Sequence, residues 1–345
     1  MLDINRPMRI NGHGHLLPYA DEIPKFMKER KLFWIDEKAN LMCQDNWSRP
    51  ITDKSFFLNE KLEWMDKNEI DKEVLLNLSQ LYCNGYNQSD THDVIRFQND
   101  FNASVQQRHP DRFISGFVVQ PLYVEDALKE ISRCYHQLNM RLLCLPTHFL
   151  SKNNEWLSVA DESVVPIFEL ANELNLAVEI HPYNAEAMVS LKDKYWRFHL
   201  IWMCAQTADT AHLYTLLDYP LRFPNVRVCF AHGNQYGQVG YGRRMQGYRG
   251  RPDLFVGGTE PKASYPNLFF DTLVHDVLSF ELMIKRQGVA QIVAGLDDPY
   301  PLGEMESVPG SYPGKVIDEA VAQSIISPTD RNSIWNDNVM KWLYG

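Results

Sequence analysis

His13 and His15, separated by a single glycine in the run from Arg9 to Pro18, are the first residues in this chain whose types and spacing suggest chemistry. On an extended strand, residues two apart project from one face, so both imidazoles can grip one metal ion. Gly12 and Gly14 flank His13 and are expected to leave the approach to the rings clear. Taken alone, an H-x-H pair is equally a polar turn, and the weight of the reading rests on further donors. His181, His232 and the pair Asp297 and Asp298 supply them, each at or just past the end of an apolar run.

Those donors must be carried by regular elements. The chain presents eight short apolar runs read as strands: around His13 and His15, Val74 to Leu78, Ile114 to Val119, Leu142 to Leu145, Leu176 to His181, Val226 to His232, Leu268 to Asp271, and Ile292 to Gly295. Between most of them, apolar residues recur every three or four positions, as in Leu58, Leu62 and Met65, or Val94, Phe97, Phe101 and Val105. The second of these helical faces stops at His109-Pro110. Further helical patterns run through Leu128 to Leu138, Ile167 to Leu174, Phe198 to Leu217 and Leu278 to Ile284.

Strict strand and helix alternation predicts parallel strands with crossover helices, and eight such units predict a (β/α)8 TIM barrel. An open doubly wound sheet is the competing fold, but no Gly-rich phosphate fingerprint follows the first strand. One domain over residues 1–345 is expected. Residues 19–57, with Trp34, Trp47 and Arg49, form a long loop insertion at the active-site face. Packing helices are expected over 315–345, one of them opening at Ser327-Pro328-Thr329-Asp330. In such a barrel the active site lies at the C-terminal ends of the strands, where His13, His15, His181, His232 and Asp297 or Asp298 converge.

Composition narrows the function. The chain has 345 residues, 45% of them hydrophobic, and a formal net charge of −10. That charge argues against a sequence-independent nucleic-acid surface. No apolar run approaches membrane-spanning length and the first twenty residues lack a signal-type apolar core, so cytoplasmic residence is expected. The six cysteines form no C-x-x-C pair and read as buried thiols.

The segments Asn11 to Pro18, Glu179 to Pro182, Cys229 to Gly233 and Gly295 to Glu304 resemble, in order and spacing, the signature blocks of the amidohydrolase superfamily. More narrowly they resemble its branch of metal-dependent decarboxylases that includes 2-amino-3-carboxymuconate 6-semialdehyde decarboxylase. The resemblance runs from about Arg9 to the C-terminus. It implies one divalent metal, zinc first with manganese or cobalt as alternatives, held by His13, His15, His181 and Asp297. It makes His232 the general acid/base beside a metal-activated water. Asp297 takes the aspartate position of the Gly-x-Asp-x-Pro pattern, while Asp298 stands where the family commonly has an aromatic residue, which leaves both carboxylates in play. Members with two metals carry a modified lysine at the end of strand four; here that position reads Pro146-Thr147-His148, so a single metal is implied.

The same resemblance assigns Arg49, in Asn46-Trp47-Ser48-Arg49-Pro50, to the substrate carboxylate, and Arg243 and Arg251 to the active site of a neighbouring subunit, which implies a homodimer. Arginines suit a small anionic dicarboxylate, because guanidinium and carboxylate meet in paired, charge-assisted hydrogen bonds. The implied reaction is non-oxidative decarboxylation, with 2-amino-3-carboxymuconate 6-semialdehyde as the expected substrate. A hydroxybenzoate-type acid, or hydrolysis of a lactone or amide, is the alternative. Asp271, ending strand seven, is expected to hydrogen-bond a metal-ligating histidine. His148 is expected at the pocket wall. His199, His212, His275, Trp196 and Trp202 read as ordinary structural residues.

Overall fold

The computed structural model describes residues 6–45, 47–51, 53–182 and 195–345; Asn46 of the Arg49 motif lies outside them. The apolar runs pair as one parallel sheet in chain order: β1 (Ile10–Gly14), β2 (Lys72–Leu75), β3 (Phe113–Val118), β4 (Leu142–Pro146), β5 (Ala177–His181), β6 (Arg227–Phe230), β7 (Leu268–Asp271) and β8 (Ile292–Val293). Strands this rich in buried apolar residues are covered on both faces, as parallel sheets require. The ring closes between its ends, where the Gly12 N–H donates to the Ala294 carbonyl (2.7 Å) and the Asp297 N–H to the His13 carbonyl (2.8 Å). The expected (β/α)8 barrel is thereby realised.

Each crossover is helical: α1 (Leu58–Lys67), α2 (Gln88–Arg108), α3 (Val124–His136), α4 (Val165–Glu173), α5 (Met203–Leu216), α6 (Gln235–Gly250) and α7 (Val277–Gln287). Their starts follow local chemistry. The Asn87 side chain accepts the Asp90 N–H at the head of α2, and Asp276 accepts the Leu278 and Ser279 N–H groups at the head of α7; such caps contribute about 1 kcal/mol each. α2 ends at Arg108, one residue before His109-Pro110, because the residue ahead of a proline is driven out of the helical region.

The C-terminal stretch folds as α8 (Lys315–Ala322), α9 (Pro328–Trp335) and α10 (Asp337–Tyr344). A reciprocal cap between Ser327 and Asp330 starts α9. α10 plugs the N-terminal end of the barrel: Val339, Trp342 and Leu343 pack on Ile10, Val74, Leu142, Ala177 and Phe269. The Trp342 indole N–H donates to the Val178 carbonyl (3.3 Å). The cavity described below lies at the opposite end, where the strands finish at their C-termini.

Residues 19–57 depart from the expected long loop. They contain a three-stranded antiparallel sheet, Trp34–Asp36, Leu41–Gln44 and Trp47–Pro50. Its Ile35 and Met42, with the flanking Phe33 and Ile51, share a core with Leu81, Tyr82 and Tyr300. Strands of three or four residues are too short to register as an alternating pattern, so the sequence hides them. Among the described residues no helix is long and apolar enough to cross a membrane.

Candidate metal centre and active-site cavity

Three histidines reach the open end of the barrel with their tautomers set by neighbouring acceptors. His13 Nδ1 donates to Asp271 Oδ2 (2.9 Å), His15 Nδ1 to the Leu76 carbonyl (3.1 Å), and His181 Nδ1 to the Pro182 carbonyl (2.7 Å). An imidazole that donates through Nδ1 keeps a lone pair on Nε2. The Nε2 atoms of His13 and His181 are buried without a hydrogen-bond partner among the described residues. His15 Nε2 lies 3.2 Å, and His13 Nε2 3.6 Å, from Asp297 Oδ1. One donor atom from each of His13, His15 and His181 falls within 4.8 Å of the others; His13, His232 and Asp297 form a second such group. Converging nitrogen lone pairs beside a carboxylate are costly to bury unless a cation shares them, and this donor set suits a borderline divalent ion.

The electrostatics agree. Burial pushes the His13 imidazole down, but its bond to Asp271 and the charges of Asp297 and Glu179 prevail and raise it to about 9. Burial also works against the Asp297 carboxylate, yet the His15 hydrogen bond and the surrounding imidazoles hold it below its usual range. The pocket thus draws positive charge, and a divalent cation would displace the His13 proton. Burial holds His15 and His181 below the ordinary imidazole value, leaving both neutral as ligands must be.

Asp271 organises the floor. Its Oδ2 accepts from His13 Nδ1 and the His232 N–H (3.0 Å), and its Oδ1 from the Gly233 (2.8 Å) and Leu273 (3.2 Å) N–H groups. These bonds hold the turn after β6, where His232 takes a left-handed backbone (φ 55°). The His232 ring then stands 5.0 Å from that of His181 and 5.8 Å from that of His13. Burial lowers His232 to about 4 despite the nearby carboxylates, so it is a neutral proton acceptor at pH 7.

The two aspartates after β8 part ways. Asp297 faces His13 and His15, whereas Asp298 turns beneath them: its Oδ1 accepts from Asn11 Nδ2 (2.6 Å) and its Oδ2 from the Lys61 ammonium. Gly12 and Gly14 also serve otherwise than the sequence suggests. A Cβ on Gly12 would sit 2.7 Å from the Ala294 carbonyl oxygen, and one on Gly14 2.3 Å from the Glu73 carboxyl, so these glycines admit neighbouring groups to β1 rather than clear a path to the rings.

Above the donors opens a cavity of about 390 Å³. Trp47, Arg49 and Tyr300 line it beside His232 and Asp297, and the Arg49 guanidinium lies 4.1 Å over the Tyr300 ring. Trp196, His199 and His275 also line it, against their reading as ordinary structural residues. The one sequence signal for His275 is its place four residues past Asp271 at a strand end; His199 and Trp196 carry none beyond residue type. His148 does not line this cavity, because its Nε2 pairs with Asp209 (3.0 Å). Arg243 and Arg251 are exposed and outside this chain's cavity, Arg243 on α6 and Arg251 in an ion pair with Asp253 (2.7 Å).

Comparison with known proteins places this geometry. The sequence profile of the amidohydrolase family matches residues 10–342. The chain is 27% identical to the 2-amino-3-carboxymuconate-6-semialdehyde decarboxylase of Dictyostelium discoideum, over 98% of this chain and 92% of that protein. It is 24% identical to the protein of the same name from Caenorhabditis elegans, over 98% and 95%. The crystal structure of 5-carboxyvanillate decarboxylase from Sphingomonas paucimobilis superposes with a TM-score of 0.74 at 17% identity, covering 98% of this chain and 99% of that one.

Proposed function

The chain belongs to the amidohydrolase family, and from that premise we propose that it is a divalent-metal-dependent decarboxylase of a small unsaturated dicarboxylate, 2-amino-3-carboxymuconate 6-semialdehyde. The observation that carries this reading is the placement of Arg49, poised over Tyr300 on the wall of the cavity whose floor holds His232 and Asp297. The curated relatives of that name, similar over nearly their whole length, support the same substrate.

His13, His15, His181 and Asp297 would hold the ion, with zinc favoured by three imidazoles and one carboxylate and manganese or cobalt as alternatives. Such an ion supplies Lewis-acid polarisation at the open end of the barrel. Arg49 takes a substrate carboxylate through paired charge-assisted hydrogen bonds and fixes the reacting carbon over the floor. His232, neutral and buried, takes up a proton from water and holds it beside that carbon. When the C–C bond to the departing carboxylate breaks and carbon dioxide leaves, the electron pair stays on the substrate carbon, and His232 delivers the proton there.

Arg243 and Arg251 belong to a second copy's site in this reading: the protein acts as a homodimer in which they reach the neighbouring cavity. Their exposure, and a cavity in their own chain that they do not line, support it. The aromatic walls, Trp47, Trp196 and Tyr300, favour a second reading in which a hydroxybenzoate-type acid is the substrate.

A coupled assay tests the proposal. 3-Hydroxyanthranilate and its ring-opening dioxygenase generate the semialdehyde in place, and the protein is added metal-loaded or chelator-treated. Faster loss of the chromophore with carbon dioxide release, in the metal-loaded sample alone, is the expected result. No acceleration from protein shown to contain metal rejects this substrate, and release of carbon dioxide from hydroxybenzoic acids would then favour the second reading.

A further inference from the structure

An ion cluster lies beneath the metal-facing residues, and the proposed reaction does not use it. Lys61 of α1, Glu73 of β2 and Asp298 are all fully buried. The Lys61 ammonium donates to Asp298 and lies 2.7 Å from Glu73 Oε1. Asn11 completes the cluster: its Nδ2 donates to Asp298 Oδ1 (2.6 Å) and Glu73 Oε2 (3.1 Å), while its Oδ1 accepts the His13 and Leu296 N–H groups (3.0 Å each). Asn11, Glu73 and Asp298 each touch the frame of the donors. Asn11 holds the backbone of His13, Leu296 and Asp298 flank Asp297, and the Glu73 carboxyl packs where a Gly14 side chain would stand. The Asp298 carbonyl also accepts the His15 N–H (3.1 Å).

We propose that Lys61 is a positioning residue for the metal centre: through Asp298, Glu73 and Asn11, its buried charge holds the His13, His15 and Asp297 donors at the spacing one cation needs. The inference rests on the metal-binding part of the preceding reading and not on the substrate. The physical chain runs through hydrogen-bond polarity. The Asn11 amide turns its donor end to Asp298 Oδ1 and Glu73 Oε2. That orientation aims Asn11 Oδ1 at the His13 and Leu296 N–H groups. The Lys61 ammonium pins both carboxyl groups from below, by donating to Asp298 and by lying 2.7 Å from Glu73 Oε1. Without it neither carboxyl is fixed against the Asn11 amide. The amide then has no reason to keep its orientation, and the N–H groups of His13 and Leu296 lose their acceptor. Asp298, released from below, is also free to compete with Asp297.

The test measures cation affinity by competition with a chromophoric chelator, and the visible spectrum of the cobalt-loaded protein, in Lys61→Met and in Lys61→Gln. Lys61→Gln removes the charge but keeps a hydrogen-bond donor within the cluster, so it serves where Lys61→Met does not fold. Both are compared with wild type well below their melting temperatures. The expected result is a folded variant whose affinity falls about 10- to 100-fold, the range seen when a residue supporting a metal ligand is lost, with altered cobalt bands. A folded variant with wild-type affinity and an unchanged cobalt spectrum overturns the proposal and leaves Lys61 a stability element. Neither readout needs substrate, so the outcome stands apart from that of the decarboxylase assay.

Discussion

Asp271→Asn gives a sharp test of how this site selects a metal. Asp271 offers acceptors only, two on each oxygen: His13 Nδ1 and the His232 N–H on one, the Gly233 and Leu273 N–H groups on the other. An asparagine keeps one acceptor end. If its oxygen faces the Gly233 side, its NH2 meets His13 Nδ1, which must turn acceptor, and the His13 proton moves to Nε2, the atom aimed at the metal. If its oxygen faces His13, the Gly233 and Leu273 N–H groups are both orphaned, at about 1–3 kcal/mol each. The first arrangement orphans the His232 N–H alone and is the cheaper, so much of the loss falls on metal binding. Affinity should drop about 10- to 100-fold, worth about 1.4 kcal/mol per factor of ten, while the fold is retained. Competition with a chromophoric chelator, followed from pH 7.5 to above the value of about 9 at which His13 loses its proton, separates the tautomer effect from proton competition, and melting curves check the fold. A well-folded Asp271→Asn protein with wild-type metal affinity would refute the argument that this carboxylate fixes the His13 tautomer.

The other predictions concern the reaction and the acid stability of the fold. His232→Asn should cut kcat by about 10²- to 10⁴-fold with metal content unchanged; full turnover by the variant would remove His232 from proton transfer. Arg49→Ala should raise KM by about 10- to 100-fold, the loss of one charge-assisted contact at roughly 1.5–3 kcal/mol, and an unchanged KM would end the carboxylate-clamp reading. Glu304 is buried, and burial lifts its carboxyl to about 7 although the Val316 and Gly314 N–H groups favour its charge. A raised carboxyl binds its proton more tightly in the folded protein, so stability is greatest below the unfolded value, about 4.5, and falls as pH rises toward 7, by roughly 3 kcal/mol. Melting temperature followed against pH on metal-free protein should show that slope flattened in Glu304→Gln; an equal slope in both would place the pH dependence elsewhere.

Much of this architecture is legible in one dimension because it is periodic. The β5 run ending in His181 and the β7 run ending in Asp271 are apolar stretches of the right length, helical spacing separates them, and parallel alternation leaves few topologies. His13, His15, His181, His232 and the Asp297 and Asp298 pair could be named because a barrel gathers strand ends at one point, so position along the chain stands in for position in space. The expectation that Asp271 accepts a hydrogen bond from a histidine follows the same logic, and His13 is its partner. His199 and His275 escape it because they lie in connections whose path into the cavity no period encodes. The sheet within residues 19–57 escapes because its strands are too short to show alternation.

What the sequence determined by itself, then, is the order of strands and helices and the set of groups at the strand ends, since both follow from local pattern and from the closure of eight parallel units. Only the tertiary structure decided direction: which of two adjacent aspartates faces the histidines, which nitrogen of each ring is free, and that Lys61, in register with Leu58 and Leu62 on α1, is an ion partner inside the core and not a solvated charge. The physical reason is that orientation comes from hydrogen bonds made across the barrel, between residues such as Asn11 and Asp298 that stand 287 positions apart, and no local period carries that information.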